Sequence, residues 1–381
     1  PIVDGGWSTM ATISWAWPYA FLMFPLLIAV NVVMILLNKT NTINADLWNV
    51  WLKIFTAVAV VSITHSVILA FVIAAVQIIL ELKSSDAHQH RIEKLTGIPG
   101  VSVTHATLFF GAILYPIALV LRKIPGLNRE FDTDMLKDKV GIFAENHVMG
   151  FILGCLFGIL AKYSLAQILT TGIKAAAAMT LFPVVAKYFM QALSPISEAV
   201  SAFMNKKFEG KTLIVGLDWP ILGGCNEIWL AILWSIPFML IYSMVLPGNE
   251  ILPFAGLMSA SLALPAFLVT RGNLLQMSIL CVIGAPVFLW VGTAFAPFMT
   301  ELAIATGSID LQAGELISNS LINGPVFTYS ISHLFMFLKG NFMPLIIFAV
   351  WLAGFILYYR DLMREAREDA ALEAGNAKAG Q

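Results

Sequence analysis

Long apolar segments recur along almost the whole sequence and limit what the chain can fold into. They occupy residues 15–37, 47–80, 101–121, 146–161, 165–193, 228–245, 251–269, 274–297, 319–338 and 342–359. A membrane-spanning helix needs about 20 mostly apolar residues. Of the 381 residues, 59% are hydrophobic and only 12% are charged, a balance that a soluble domain could not bury. We therefore expect an all-α polytopic membrane protein, not a soluble enzyme or a nucleic-acid-binding protein.

The segment 47–80 is too long for one simple span. A single straight helix of this length would reach roughly 50 Å at about 1.5 Å per residue, against a hydrocarbon core of about 30 Å. Ser62, Thr64, His65 and Ser66 cluster at its middle. The pattern favours two short antiparallel helices that turn there; a single tilted helix with a polar patch is the alternative.

Two apolar segments are interrupted, which predicts an inverted-repeat transporter with two re-entrant hairpins. Segment 97–121 has basic residues on both flanks, and basic loops belong to the cytoplasm, so it should enter and leave by the same face. Segment 319–338 is interrupted by Asn323, Gly324 and Pro325 and should enter from outside. Two broken segments of opposite entry are typical of inverted-topology transporters.

The remaining segments complete the predicted organisation. Segments 146–161 and 251–269 are expected to be complete spans, the first with glycines spaced for close helix contact. The basic stretches 122–139 and 204–211, together with Arg271, should be cytoplasmic. Residues 1–359 then form one membrane-embedded unit with interleaved core and scaffold parts, and 360–381 a charged cytoplasmic tail. Because residue 1 is Pro and no signal sequence precedes the first span, we expect that N-terminal spans of a longer protein are missing.

Ionisable groups at membrane depth are costly and usually functional. His105 lies in the first interrupted segment, and Asp218 lies in a Gly- and Pro-rich break at 216–224. Both suit a ligand rich in hydroxyl groups, because imidazole can donate and accept hydrogen bonds and a carboxylate accepts them. The alternatives are a packing histidine bonded to a carbonyl and an aspartate of a local turn.

Further candidates for substrate binding lie at helix starts and breaks. Glu145 and Asn146 open the segment 146–161, where Glu145 is either a ligand of hydroxyl groups or a helix cap. Asn226 and Glu227 follow the break that carries Asp218, and Asn323 lies in the second interrupted segment. Asn323 fits binding and turn roles equally well.

Motifs for other chemistry are lacking in the sequence. There is no nucleotide-binding glycine loop, no H-E-x-x-H pattern and no nucleophile triad. The three cysteines Cys155, Cys225 and Cys281 lie far apart in apolar stretches, as buried core residues do. We therefore expect no metal and no cofactor.

Several motifs, in order along nearly the whole chain, give a resemblance to a known family. The chain resembles the galactitol-specific membrane (IIC) component of the bacterial phosphoenolpyruvate-dependent phosphotransferase system. The motifs are VDGGW (3–7), NADLWNVW (44–51), KIPGLNR (123–129), GLD (216–218), LPGNEILPF (246–254) and RGNL (271–274).

The resemblance implies a fold shared with the ascorbate- and galactitol-type components, usually as a homodimer in the bacterial inner membrane. It implies a permease that binds a sugar or polyol outside and presents it inside. A separate soluble IIB subunit, phosphorylated on a cysteine by an upstream IIA subunit, then phosphorylates the substrate, so that transferase activity resides with IIB. By position, His105, Glu145 and Asp218 match residues of the family's motifs.

Glu145 is also a candidate for the base that orients the reacting hydroxyl, as an aspartate does in kinases. The alternative function is an ion-coupled secondary transporter of a small polar solute, with Glu145 or Asp218 as the coupling site. A membrane-embedded enzyme would need a metal cluster or nucleophile constellation that the sequence does not offer.

Overall fold

We determined the fold from a computed structural model, in which residues 2–46, 48–127, 141–207, 213–253, 256 and 259–379 are described. In these ranges the chain forms twelve α-helices. They are α1 Gly6–Trp15, α2 Met23–Leu36, α3 Val50–Thr64, α4 Val67–Thr96, α5 Gly111–Leu121, α6 Asn146–Leu160, α7 Leu165–Lys207, α8 Asn226–Val245, α9 Ala260–Thr270, α10 Leu274–Thr306, α11 Pro325–Ser332 and α12 Met343–Ala379.

Several of these helices are long and apolar enough to cross a membrane. Within the described ranges they are α4, α8, α10 and the Met343–Leu372 part of α12. A further candidate is α1 with Ala20–Leu36, a pair bent by 99°. The predicted polytopic helical membrane protein is therefore confirmed. The re-entrant course of the two interrupted segments stays a prediction.

The predicted turn inside 47–80 is confirmed, but the second helix is longer than expected. His65 ends α3 in the left-handed conformation, and the Ser66 hydroxyl caps α4 by accepting from the Leu69 amide at 3.2 Å. Helix α4 then continues through the charged stretch to Thr96. It can do so because its buried charges Glu81 and Arg91 are paired with residues of other helices.

Two other predicted segment boundaries are also wrong. Segment 251–269 is not one helical span: Ile251 is extended and pairs with Ile2, and α9 begins only at Ala260. Helix α10 continues past the expected external boundary to Thr306. Of the predicted basic loops, residues 128–139 and 208–211 lie outside the described residues.

In the described parts of the chain, five short strands form two small parallel groups between the helices. They are β1 Ile2–Asp4, β2 Thr42–Asn44, β3 Val101–Val103, β4 Ile214–Leu217 and β5 Leu316–Ser318. In the first group β4 lies between β2 and β3; in the second β1 pairs with β5, and Ile2 also bridges to Ile251. All the pairings are parallel, so the strands of each group end at one edge.

Both interrupted segments follow the same plan. After β3 the chain makes a 3₁₀ turn at Ala106–Phe110 and enters α5. After β5 it enters the short helix α11, which begins behind Gly324 in the left-handed conformation. Strand, break and short helix therefore recur in the two segments that the sequence singled out.

The close approach of three strands in the first group depends on Gly216. A Cβ on Gly216 would collide with the Cγ2 atoms of Thr42 and Thr104. We expect Gly216→Ala to lower the free energy of unfolding by about 1–3 kcal/mol, the usual cost of overpacking. Thermal unfolding of the purified protein in lipid nanodiscs measures this loss.

Thr104→Ser provides the matched rescue. It removes Cγ2 but keeps the hydroxyl that donates to Asn44 Oδ1 at 2.9 Å. The double variant should therefore recover part of the stability lost in Gly216→Ala, whereas Thr104→Ser alone should change little. A Gly216→Ala protein as stable as the wild type would contradict this account of the strand group.

A tryptophan-lined pocket as the candidate functional site

A pocket of about 340 Å³ lies where the carboxyl ends of the two strand groups meet. The first group supplies Trp48, Trp51, His105 and Asp218 from the chain that follows β2, β3 and β4. The second supplies Trp7 after β1 and Asn323 after β5. Convergence of strand ends is a common way to build a ligand site, because successive loops bring polar side chains to one place. The volume falls in the range of small-molecule sites.

Five tryptophans form much of the wall: Trp7, Trp48, Trp51, Trp219 and Trp229. The rings of Trp7 and Trp48, from different strand groups, meet edge to face with centroids 5.9 Å apart. The Trp229 indole donates to the Gly223 carbonyl at 2.6 Å, which fixes its ring. Rigid aromatic faces pack against the CH groups of a polyol, and the polar atoms between them are left for its hydroxyl groups.

His105 is held as a neutral hydrogen-bond donor toward the pocket. Its Nδ1 accepts from the Thr107 backbone N–H at 3.2 Å and lies 2.7 Å from the Thr107 hydroxyl. A backbone N–H can only donate, so Nδ1 carries no proton and Nε2 does. Nε2 lies 3.9 Å from Asp218 Oδ1, which is too long for a hydrogen bond. A hydroxyl group to one side of these two atoms could bridge them, accepting a hydrogen bond from His105 and donating one to Asp218.

Asp218 and Asn323 supply the complementary polar atoms. Asp218 follows β4 and accepts from the Trp219 amide through Oδ1 at 2.7 Å. Asn323 Oδ1 accepts from the Ser261 hydroxyl at 2.5 Å, which leaves the amide nitrogen to donate to a ligand. The pocket therefore offers both donors and acceptors, as recognition of an uncharged hydroxyl compound requires.

Behind the pocket lies a buried acidic and basic group that the sequence reasoning missed. Asp46, His105 and Asp218 offer atoms that all lie within 4.8 Å of one another. Lys53 pairs with Glu81 at 2.5 Å, and both side chains are fully buried. The Lys53 ammonium also donates to the Asn49 backbone carbonyl at 3.1 Å, and the Asn49 backbone N–H donates to Asp46 Oδ1 at 3.1 Å.

The two aspartates lie outside the spanning helices, and their surroundings disfavour the charged form. Burial raises the pKa of Asp218, and the negative charge of Asp46 raises it further. Burial also raises the pKa of Asp46, against the opposing effect of the Lys53 ammonium. Desolvation and a nearby like charge both favour a protonated carboxyl.

The spacing of Asp46, His105 and Asp218 would by itself suit a metal ion. Imidazole binds a metal only through an unprotonated nitrogen, and the Nδ1 lone pair of His105 is already taken by Thr107. The donor set therefore fits a hydroxyl group better than a metal ion.

The structure brings three of the predicted site residues together and places the other four elsewhere. His105, Asp218 and Asn323 line the pocket. Glu145 and Asn146 lie at the start of α6, and Asn226 and Glu227 lie at the start of α8; none of the four is among the lining residues. Helix α8 carries Trp229 into the pocket one turn later, and α6 packs against α8.

A signal for the missed residues was present in the sequence. Asp46, Trp48 and Trp51 belong to the NADLWNVW motif, and Lys53 is a cation inside an apolar stretch. Charged residues in such stretches usually face a partner or a cavity. A search for lone charges that could pair across neighbouring helices would have joined Lys53 to Glu81.

Apolar helices able to span a membrane, broken segments and a pocket with hydrogen-bond donors and acceptors are typical of a membrane transport protein. Comparison with known proteins specifies the class. The family model described as "PTS system sugar-specific permease component" matches residues 1–312. The chain is 31% identical over 364 residues to the PTS system galactitol-specific EIIC component of Escherichia coli strain K12, covering 94% of this chain and 80% of that protein. A protein of the same description from Escherichia coli O157:H7 matches equally.

A second relative from Escherichia coli strain K12, a putative permease IIC component, is 30% identical over 341 residues, covering 87% of this chain and 77% of that protein. The chain belongs to the family of sugar-specific permease components of the phosphotransferase system. It is therefore an integral inner-membrane permease for a sugar or polyol that works with IIB and IIA components. The resemblance in the sequence motifs is confirmed, and the ion-coupled alternative is not favoured.

The Lys53–Glu81 pair supplies a stability test for the scaffold behind the site. Loss of one partner leaves a buried charge uncompensated, which costs about 3–5 kcal/mol. We expect Lys53→Met to lower the free energy of unfolding by this amount. The double variant Lys53→Met, Glu81→Met should recover most of it. Thermal or denaturant unfolding in nanodiscs measures both effects.

Lys83→Met is the matched control, because Lys83 is more exposed and lies 3.5 Å from Asp86. Exposed pairs contribute about 0–1 kcal/mol. If Lys53→Met lowered the free energy of unfolding no more than Lys83→Met does, the buried pair would not stabilise the scaffold behind the site.

Proposed function

We propose that this chain binds galactitol, or a closely related hexitol, in the tryptophan-lined pocket and presents it for phosphorylation by a separate IIB subunit. The observation that carries the proposal is the pairing of aromatic walls with His105, Asp218 and Asn323 in one small pocket. The galactitol specificity in the names of two relatives supports the choice of hexitol.

The substrate's hydroxyl groups are matched by fixed donors and acceptors. One hydroxyl accepts from His105 Nε2 and donates to Asp218, across the 3.9 Å gap between these groups. A second accepts from the Asn323 amide, whose carbonyl oxygen is held by Ser261. Each such hydrogen bond contributes about 0.5–1.5 kcal/mol, and more when the partner is charged.

The same gap orients a hydroxyl for phosphoryl transfer. The hydroxyl oxygen forms a bond to phosphorus while the bond between phosphorus and the sulfur of the IIB cysteine breaks, and the cysteine leaves as a thiolate. The hydroxyl proton moves to Asp218. A base within hydrogen-bond distance contributes typically 10²- to 10⁴-fold to such a transfer.

Glu145, Asn146, Asn226 and Glu227 belong to a second contact group in this proposal. They lie at the starts of α6 and α8, which pack against each other, and α8 also contributes Trp229 to the pocket. A carrier must present its substrate to both faces in turn. We therefore assign these four residues to contacts in another state of the transport cycle, with Glu145 orienting the hydroxyl there.

The proposed active form is a homodimer in the lipid membrane. Helices α6 and α7 pack closely on each other, with Gly150 and Gly154 at the contact, and leave apolar side chains such as Ile159, Leu165 and Ile173 exposed. In the proposed dimer, a second copy of the chain covers these side chains, which in a monomer would contact lipid. Mass measurement of the protein in nanodiscs tests the dimer.

Asp218→Asn tests the proposed base. Loss of the charged acceptor should raise the Kd for galactitol about tenfold, which corresponds to about 1.4 kcal/mol. Phosphorylation should fall further, by 10²-fold or more. Galactitol binding in nanodiscs and galactitol phosphate formation with phosphorylated IIB are the two measurements.

Glu301→Gln is the control, because Glu301 is an exposed carboxylate of α10 outside the pocket. It should bind and phosphorylate galactitol as the wild type does. Normal phosphorylation by Asp218→Asn would remove Asp218 from the role of base. Failure of the wild type to bind any hexitol would overturn the proposed function.

Glu145→Gln separates the second contact group from the pocket. Because Glu145 does not line the pocket, the Kd should stay within about threefold of the wild-type value, while phosphorylation falls about tenfold, or 1.4 kcal/mol in barrier. Wild-type values in both measurements would remove Glu145 from the second contact group.

A further inference from the structure

The charges behind the pocket do not balance. Asp46, Asp218 and Glu81 bring three carboxyl groups to one ammonium, that of Lys53, among the described residues. These four residues and His105 come from the chain after β4, the β2–α3 connection, α3, α4 and the chain after β3, the elements packed around this point. Uncompensated charge in a buried region is costly.

Lys53 cannot neutralise both remaining carboxylates. Its ammonium lies 2.5 Å from Glu81 and donates to the Asn49 carbonyl at 3.1 Å. This leaves Asp46 and Asp218 with two potential negative charges against an ammonium whose charge is already matched by Glu81.

His105 does not supply the missing positive charge. A second proton on its ring would have to replace the hydrogen bond that Nδ1 accepts from the Thr107 backbone amide. The imidazole is therefore neutral, and its remaining N–H faces Asp218.

Asp46 has an acceptor oxygen that no donor satisfies. The residue is 3% exposed, and its Oδ2 has no hydrogen-bond partner among the described residues, whereas Oδ1 accepts from the Asn49 amide. One carboxylate oxygen of Asp46 lies within 4.8 Å of atoms of Asp218 and His105, so the carboxyl group with the unsatisfied oxygen lies close to a second carboxyl group. Two carboxyl groups this close do not both ionise readily.

We propose that Asp46 and Asp218 share a single proton, and that Asp46 is a positioning residue that keeps this proton while Asp218 stays free to accept the substrate's. The inference rests on the proposed function and adds to it the residue Asp46 and the singly protonated state of the Asp46–Asp218 pair. When Asp218 takes the hydroxyl proton, the pair holds two protons and returns to one by releasing a proton to water.

The shared proton gives galactitol binding an upper pH limit. Above the pH at which the pair loses its proton, both carboxylates are charged, and the entering polyol must displace the water that solvates them. Binding then requires uptake of one proton, so the Kd should rise about tenfold per pH unit above this limit. The apparent pKa belongs to the pair and not to either residue.

Asp46→Asn removes the second carboxyl group and keeps an oxygen for the Asn49 amide. We expect its Kd for galactitol to be independent of pH over the range where the wild-type Kd rises. Galactitol binding to the full chain in nanodiscs, followed by tryptophan fluorescence between pH 5 and 9, measures the profile. Glu301→Gln should keep the wild-type profile, because it removes a distant exposed carboxylate.

A spectroscopic measurement on the wild type guards against a variant that fails to fold. Infrared difference spectra of the galactitol-free protein, taken between pH 7 and a pH above the limit, should show the loss of the C=O stretch of one protonated carboxylic acid, and Glu301→Gln should show the same loss. Added Mg²⁺, Ca²⁺ or Mn²⁺, and removal of metals with a chelator, should leave the Kd unchanged.

The outcomes separate the two proposals. A wild-type Kd that does not vary with pH, an Asp46→Asn protein that keeps the wild-type rise, or a metal-dependent Kd overturns the shared proton and leaves galactitol binding intact. No galactitol binding by the wild type at any pH overturns the proposed function as well.

Discussion

The fold depends on satisfying backbone hydrogen bonds where the helices are interrupted. In a membrane protein an unpaired backbone amide or carbonyl costs several kcal/mol, so non-helical segments are tolerated only where protein or water supplies partners. Here the breaks pair with one another as two small parallel strand groups. Because parallel strands end at one edge, this solution also collects the loops that follow them, and the pocket lies where the loops of both groups meet.

The same constraint explains the buried charges. A charge inside the helical bundle is stable only with a partner of opposite charge. Lys53 and Glu81 are such partners, and their ion pair links α3 to α4. Arg91 does the same near the C-terminal end of α4, where it pairs with Asp361 and Glu365 of α12. Among the described residues around the pocket, the charge imbalance lies at Asp46 and Asp218, where a proton or a hydroxyl group can compensate it.

The sequence predicted the class, the family and the places where helices break, because apolar length and Gly/Pro interruptions are local signals. It also predicted His105, Asp218 and Asn323 as site residues, and all three line the pocket. It missed Asp46 and Lys53 because their importance comes from neighbours distant in sequence: Glu81 on another helix, and His105 and Asp218 on other strand ends. The end of α4 was mispredicted for the same reason, since charge pairing across helices keeps a charged stretch helical.

In the proposed hexitol site, the division of the pocket between two strand groups bears on the choice among hexitols. Acidic and imidazole groups come from the first group, and the Ser261-held amide of Asn323 comes from the other side. A hexitol that inverts one carbinol centre keeps its CH surface against the tryptophans but moves one hydroxyl away from its partner. The fixed polar group is then buried without a hydrogen bond, at a cost of about 1–3 kcal/mol. In the proposed site, therefore, the aromatic walls set the affinity for hexitols in general. The rigid strand ends prevent the polar groups from following a displaced hydroxyl and so set the choice among hexitols.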